Sequence, residues 1–180
     1  WCGEAPGLIL ADEMGLGKTV QTLAFLASSP ERQLPALIIC PTTLLGNWMA
    51  EIARFLPRFR ALAVSGPDRE PLWKEAASCD IVVTSYALAK RDLALMGGRE
   101  WKTLILDEAQ HIKNPQSLNA QTCKQIPAAH KLILTGTPLE NSVEDLWSIF
   151  DFLHPGLLGP IGSFRAKYAE ILRNAGLKKE

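Results

Sequence analysis

The chain has 180 residues, 47% of them apolar and 21% charged, and its Lys and Arg balance its Asp and Glu to a formal net charge of zero. Those proportions suit one globular domain with a full-sized core and exclude a disordered, charge-rich chain. Zero net charge excludes a domain-wide basic surface, so a grip on nucleic acid rests on a local patch or on sequence outside this chain. No apolar run is long enough to span a bilayer, and no signal peptide follows Trp1. Four cysteines, Cys2, Cys40, Cys79 and Cys123, lack the spacing of a zinc or redox site. Their usage fits a reducing, intracellular compartment.

The first strand candidate is Leu8–Ala11, and a glycine-rich loop separates it from a helix over Gly17–Ala27. A second strand, Ala36–Cys40, ends in what should be a buried thiol. Leu44, Leu45, Trp48, Met49, Ile52, Phe55 and Leu56 recur at a helical period, and Pro57 ends that helix. Further strand candidates are Ala61–Ser65, Ile81–Ser85, Thr103–Leu106 and Lys131–Thr135. Ser142 and Asp145 make a capping-box-like start to a helix running toward Leu153. From His154 onward the chain is rich in Gly and Pro, then offers an amphipathic helix through Phe164, Tyr168, Ile171 and Leu172. The strand candidates read as nearly continuous apolar runs, the pattern of strands covered on both faces. Alternation of such strands with helices predicts an α/β fold, a mainly parallel sheet with helices on both sides.

The loop after the first strand reads A-D-E-M-G-L-G-K-T, Ala11 to Thr19. Gly15 and Gly17 let backbone N–H groups turn inward toward phosphate oxygens, and the following helix points its positive end at the same anion. Met14 and Leu16 complete the cradle, Lys18 reaches the β- and γ-phosphates of ATP, and the Thr19 hydroxyl ligates Mg2+. The general pattern G-x-x-x-x-G-K-S/T is incomplete, because Asp12 stands at its first glycine. A second signal follows. Thr103 to His111 reads T-L-I-L-D-E-A-Q-H, an apolar run ending in two carboxylates. Ligands of parallel sheets sit beyond the carboxyl ends of the strands, which sets Asp107 and Glu108 beside the phosphate loop. Asp107 is the expected Mg2+ residue, acting through water, and Glu108 the residue that orients or deprotonates the attacking water. His111 is rejected as a base, and His130 and His154 carry no signal.

Together D-E-M-G-L-G-K-T, D-E-A-Q and L-T-G-T-P-L-E-N-S (Leu134 to Ser142) resemble the SWI/SNF-like ATPases of helicase superfamily two. P-T-T-L-L-G-N-W-M-A-E-I-A-R-F (Pro41 to Phe55) is similar to that family's motif Ia and its helix, and T-S-Y (Thr84 to Tyr86) stands where motif Ib should. I-K-N (Ile112 to Asn114) and D-L-W-S-I-F-D-F-L-H-P-G-L-L-G (Asp145 to Gly159) also fit. The resemblance implies a RecA-like, three-layer P-loop NTPase fold. Residues 1–160 would be the first ATP-binding lobe, and 161–180 a helix leading toward a second lobe. It implies duplex-DNA backbone contacts at Pro41, Thr42, Thr43, Thr84, Ser85 and Tyr86. A helix N-cap is the alternative duty of Thr42. It also implies coupling of nucleotide to DNA through Thr135, Gly136 and Thr137.

The adenine motif would lie upstream of Trp1, and the arginine fingers would lie on the second lobe. The implied activity is therefore Mg·ATP hydrolysis coupled to movement on double-stranded DNA, with the lobe alone nearly inactive. A DNA-bound protein complex is the implied target, in a bacterial cytoplasm or, for a eukaryotic chain, a nucleus. Two rivals stand beside this reading. One is the lobe of an RNA helicase or a strand-separating DNA helicase, which D-E-A-Q and L-T-G-T-P-L-E-N argue against. The other is a non-catalytic nucleotide-binding scaffold, which the intact Lys18, Thr19, Asp107 and Glu108 argue against.

Overall fold

A six-stranded sheet forms where the apolar runs place its strands, and every pairing in it is parallel. The computed structural model describes residues 7–13, 15–96, 99–136 and 143–174. The strands are β1 (Gly7–Leu10), β2 (Ala36–Cys40), β3 (Ala61–Ala63), β4 (Ile81–Ser85), β5 (Trp101–Asp107) and β6 (Ala128–Leu134), in the spatial order β1-β6-β5-β2-β4-β3. Helices α1 (Lys18–Ser28) and α3 (Leu45–Phe55) belong to one side of the sheet. On the other lie α4 (Glu70–Ala76), α5 (Tyr86–Arg91), α7 (Leu118–Gln125) and α8 (Val143–Leu153).

The continuous apolar strands are explained by two cores. Ala36, Ile38 and Cys40 of β2, Ile81 and Val83 of β4, Ile105 of β5 and Leu132 and Leu134 of β6 pack with Leu23, Leu26, Trp48 and Ile52. The intervening Leu37, Ile39, Val82, Leu104, Leu106 and Ile133 pack instead with Trp73, Tyr86, Cys123 and Phe152. Alternate residues point to opposite faces of a strand, so both faces must be apolar when both are covered. Cys40 is fully buried, its Sγ 3.8 Å from the Thr84 carbonyl. Burial, reinforced by the Asp107 charge, pushes its thiol up to about 12, so it packs as an inert apolar group.

Helices that lack a strong apolar period escape the sequence reading. Besides α4, α5 and α7, these are α2 (Pro30–Gln33) and α6 (Leu93–Met96). α5 and α7 are started by Ser85 and Ser117, whose hydroxyls accept from the N–H groups of Leu88 and Ala120. The expected cap by Thr42 does not form. The chain enters α3 through a 3-10 turn over Thr42–Leu44, with no side-chain cap bond. Ser142 lies outside the described residues.

The turn between β3 and α4 is clamped from within. Arg69 makes a two-pronged ion pair with Asp92, at 2.7 and 3.0 Å, and the Trp73 indole N–H donates to the same carboxylate at 3.0 Å. Helix α9 (Ile161–Asn174) lies on α8, where Arg165 meets Glu144 at 2.6 Å. No helix among the described residues is long and apolar enough to cross a membrane.

Candidate active site

Strand order decides what meets at the carboxyl edge. β6 lies between β1 and β5, so the loops leaving β1 and β5 flank the segment leaving β6. The Thr135 N–H donates to the Leu10 carbonyl at 3.2 Å, tying that segment to the strand that precedes the phosphate loop.

In the loop itself Gly15 and Gly17 have φ of 87° and 74°, a left-handed conformation that side chains other than glycine rarely adopt. A Cβ built on either meets nothing within 4 Å, so the loop's inner surface is open to a ligand. Lys18 Nζ donates to the carbonyls of Asp12, at 2.8 Å, and Glu13, at 3.0 Å. Gln21 Nε2 donates to Asp12 Oδ2 and to the Leu16 carbonyl, both at 3.0 Å. Asp12, the departure from the glycine pattern, thus anchors the loop to the first turns of α1. Met14 lies outside the described residues.

The acidic pair ends β5. The Asp107 side chain is only 7% exposed as a residue; its Oδ1 accepts from the Glu108 N–H and its Oδ2 from Trp48 Nε1–H, each at 2.9 Å. Burial pushes the Asp107 carboxyl above its usual range; the Trp48 bond lowers it, the Glu108 charge adds to the rise, and the Glu108 N–H and Lys18 oppose it. Glu108 sits at φ 53°, ψ 59°, a left-handed backbone for a non-glycine residue, and its carboxylate accepts from Gln110 Nε2 at 3.0 Å. This reversal takes the chain straight from β5 into a 3-10 turn over Ala109–Ile112.

One cleft of about 290 Å3 is lined by Gly15, Gly17, Lys18 and Thr19 together with Asp107 and Glu108. Those donors and carboxylates suit a nucleotide triphosphate with Mg2+. Among the described residues no group of three or more His, Cys, Asp or Glu could hold a metal ion by itself. Mg2+ takes one or two protein oxygens and completes its shell with water and phosphate, and Thr19 and Asp107 are the residues of this cleft that could supply them. A larger cleft, about 500 Å3, lies between Lys113–Gln116, α8 and α9. It holds no part of the phosphate loop, and its Lys124 and Arg165 are already paired with Asp151 and Glu144. The phosphate loop and the acidic pair thus meet only in the smaller of these two clefts.

A family model described as the SNF2-related domain matches residues 1–179. The chain belongs to that family. Over 178 residues it is 42% identical to the TATA-binding protein-associated factor MOT1 of Saccharomyces cerevisiae, a match covering 90% of this chain and 10% of MOT1. It is 42% identical over 182 residues to the chromatin-remodeling ATPase INO80 of Cryptococcus neoformans, covering 93% of this chain and 10% of the relative. Among solved structures it is similar to the SWI2/SNF2 ATPase core of Sulfolobus solfataricus in complex with dsDNA. The TM-score is 0.85 at 41% identity, covering 93% of this chain and 36% of the core. This SNF2-related chain thus spans about a tenth of its curated relatives and about a third of the solved core.

The SNF2-type motifs outside the cleft divide into two sets. Thr42 and Thr43 are exposed and Pro41 is half-buried, so that segment is open to an outside partner. Thr84, Ser85 and Tyr86 are not. Thr84 is fully buried and donates to the Val64 carbonyl, Ser85 caps α5, and the Tyr86 hydroxyl donates to the Asp107 carbonyl at 2.8 Å. These three side chains are engaged within the lobe at the end of a strand covered on both faces, while the contacts expected there involve backbone amides as well as hydroxyls. On the helix that follows, Lys90 and Arg91 are exposed. Thr135 is buried and Gly136 half-buried beside the cleft, while Thr137 lies outside the described residues.

His111 stacks on Tyr86, with ring centroids 4.7 Å apart. Sequence reasoning missed Trp48 as a partner of Asp107, because its helical period marked it only as core. It also missed Asn47 and Glu51, which line the cleft from one face of α3, four residues apart.

Proposed function

We propose that this chain is the first lobe of a two-lobe, DNA-dependent ATPase motor that moves along double-stranded DNA. The observation that carries the reading is the meeting of phosphate loop and acidic pair in one cleft of an SNF2-related domain. Backbone N–H groups of Gly15 to Lys18 and the Lys18 ammonium hold the triphosphate, and Thr19 and Asp107 hold Mg2+, Asp107 through water. When bound, Mg2+ neutralises charge on the β- and γ-phosphate oxygens. Glu108 orients and deprotonates the attacking water.

Pro41, Thr42 and Thr43 grip the DNA backbone without reading sequence, aided by the exposed Lys90 and Arg91. Thr135, Gly136 and Thr137 link the cleft to that grip, and α9 leads toward the second lobe, which supplies the arginine fingers. The target is a DNA-bound protein complex.

The test is steady-state ATP hydrolysis by the complete motor protein, alone, with duplex DNA and with RNA. Strong stimulation by duplex DNA is expected. Lys18→Ala should abolish productive nucleotide binding, and Glu108→Gln should bind ATP without turning it over. Stimulation by RNA instead would make this a helicase lobe, and no hydrolysis under any condition would make it a nucleotide-binding scaffold.

A further inference from the structure

Two buried aromatic residues, one from each face of the sheet, converge on Asp107. Trp48 belongs to the core beneath α1 and α3, is fully buried, and donates its Nε1–H to Asp107 Oδ2 at 2.9 Å. Tyr86 belongs to the opposite core, is 5% exposed, and donates its hydroxyl to the Asp107 main-chain carbonyl at 2.8 Å. Buried Trp and Tyr polar atoms usually find some partner, so either bond alone would be ordinary core satisfaction. Here both fall on one residue. Trp48 fixes the direction of the carboxylate, and Tyr86 fixes the end of the strand that carries it. Each donor also sits on an element with an exposed end beyond the core. Trp48 is six residues from Thr42 along the segment that becomes α3, and Tyr86 opens α5, which bears Lys90 and Arg91.

We propose that Trp48 and Tyr86 are positioning residues for Asp107, which carry DNA engagement at the start of α3 and on α5 to the metal-binding carboxylate. The proposal rests on the motor reading above. A shift of α3 turns the Oδ2 donor, and a shift of α5 moves the carbonyl donor, so either alters where Asp107 presents its oxygens. Phe at Tyr86 keeps the ring and removes only the hydroxyl, whereas Phe at Trp48 removes the donor together with part of a fully buried indole, so its nucleotide affinity in EDTA serves as the control for lost packing.

The test uses Trp48→Phe and Tyr86→Phe in the complete motor protein. Readouts are the Kd of a fluorescent ATP analogue in Mg2+ and in EDTA, the Kd for duplex DNA, and ATPase rates with and without DNA. In Trp48→Phe the gain in nucleotide affinity on adding Mg2+ should fall about 10-fold, as expected for a lost donor to a charged acceptor, with affinity in EDTA unchanged. In Tyr86→Phe the DNA stimulation factor should fall about 5-fold, with DNA affinity unchanged. Should Trp48→Phe unfold the lobe, Tyr86→Phe decides alone, since it deletes one hydroxyl and keeps the ring on His111.

A wild-type Mg2+ gain in a folded Trp48→Phe, or wild-type stimulation in Tyr86→Phe, overturns the proposal. So does weakened DNA binding by Tyr86→Phe, which would make Tyr86 a direct contact. A wild-type protein that duplex DNA does not stimulate overturns the motor reading and this coupling with it, a result distinct from stimulation that survives both variants.

Discussion

Replacing Glu108 by Gly and by Ala separates the residue's chemistry from its backbone. Both variants lose the carboxylate and its bond from Gln110, so both should lose turnover in the complete motor. Their stabilities should differ. At φ 53°, ψ 59° an L-residue with a Cβ costs roughly 1–2 kcal/mol over glycine. Glycine gives back about 0.4–1 kcal/mol through the greater freedom of its unfolded chain. Glu108→Gly should therefore be the more stable of the two, by up to roughly 1.6 kcal/mol and about 0.8 kcal/mol at mid-range, a Tm gap of about 2–3 °C at that mid-range for a domain of this size. Urea unfolding of this chain, followed by far-ultraviolet circular dichroism, measures the difference, and thermal melting gives an independent value. An Ala variant more stable than the Gly variant would refute the claim that the acidic pair is held on a strained turn. The strain would then have no part in aiming Glu108 into the cleft.

Asp92→Ala removes the acceptor shared by Arg69 and Trp73, leaving the buried Trp73 indole N–H without its partner and Arg69 with only the Gly66 and Pro67 carbonyls, and should lower the urea midpoint. Burial raises the Asp92 pKa, but the bonds from Arg69 and Trp73 and the charges of Arg69 and Arg91 outweigh it, so the carboxyl lies below its usual range. Its contribution is present above the unfolded carboxylate pKa of about 3.9 and is lost as pH falls through the lower folded value; the gap between wild type and Asp92→Ala should close there. Gly7→Ala puts a Cβ 2.8 Å from Leu153 Cβ and 3.0 Å from the Leu153 carbonyl, and should cost about 1–3 kcal/mol in Tm-derived stability. This chain alone, without a second lobe, should hydrolyse ATP about 10³–10⁵-fold more slowly than the complete motor in a coupled-enzyme assay, since arginine fingers contribute that much to phosphoryl transfer.

The sheet was legible because burial on both faces leaves an unbroken apolar run, and each of the six such runs overlaps one of the six strands. The helices α1, α3, α8 and α9 were legible from apolar period or from a neighbouring motif. α7 was not, since Leu-Asn-Ala-Gln-Thr-Cys-Lys-Gln buries only Ala120, Thr122 and Cys123 and offers no stripe. In the cleft, residues named from loop chemistry fell into place, because glycine geometry and a strand-end carboxylate fix position through the backbone. Thr84, Ser85 and Tyr86 show where that kind of reading stops. Their motif names a segment, while which side chain faces outward depends on what covers the strand, and that is tertiary information. Trp48 shows the same gap from the other side: its helical period revealed the buried ring and not the N–H at its edge.

Asp107 joins these observations in one physical argument. A carboxylate this buried is disfavoured by desolvation and by the neighbouring Glu108, and the Trp48 and Glu108 N–H groups and Lys18 only partly offset that. A group whose pKa is raised on folding adds stability below the unfolded carboxylate pKa and loses it as pH rises through the folded value. The ligand-free fold thus carries a cost at neutral pH that a divalent cation beside Asp107 would relieve. The sheet keeps a charge where the fold alone does not favour one, which is the expected mark of a position held for ligand rather than for stability. Donors arriving at that residue from both faces of the sheet, one to its carboxylate and one to its main-chain carbonyl, then make α3 and α5 the elements whose displacement the site would feel first.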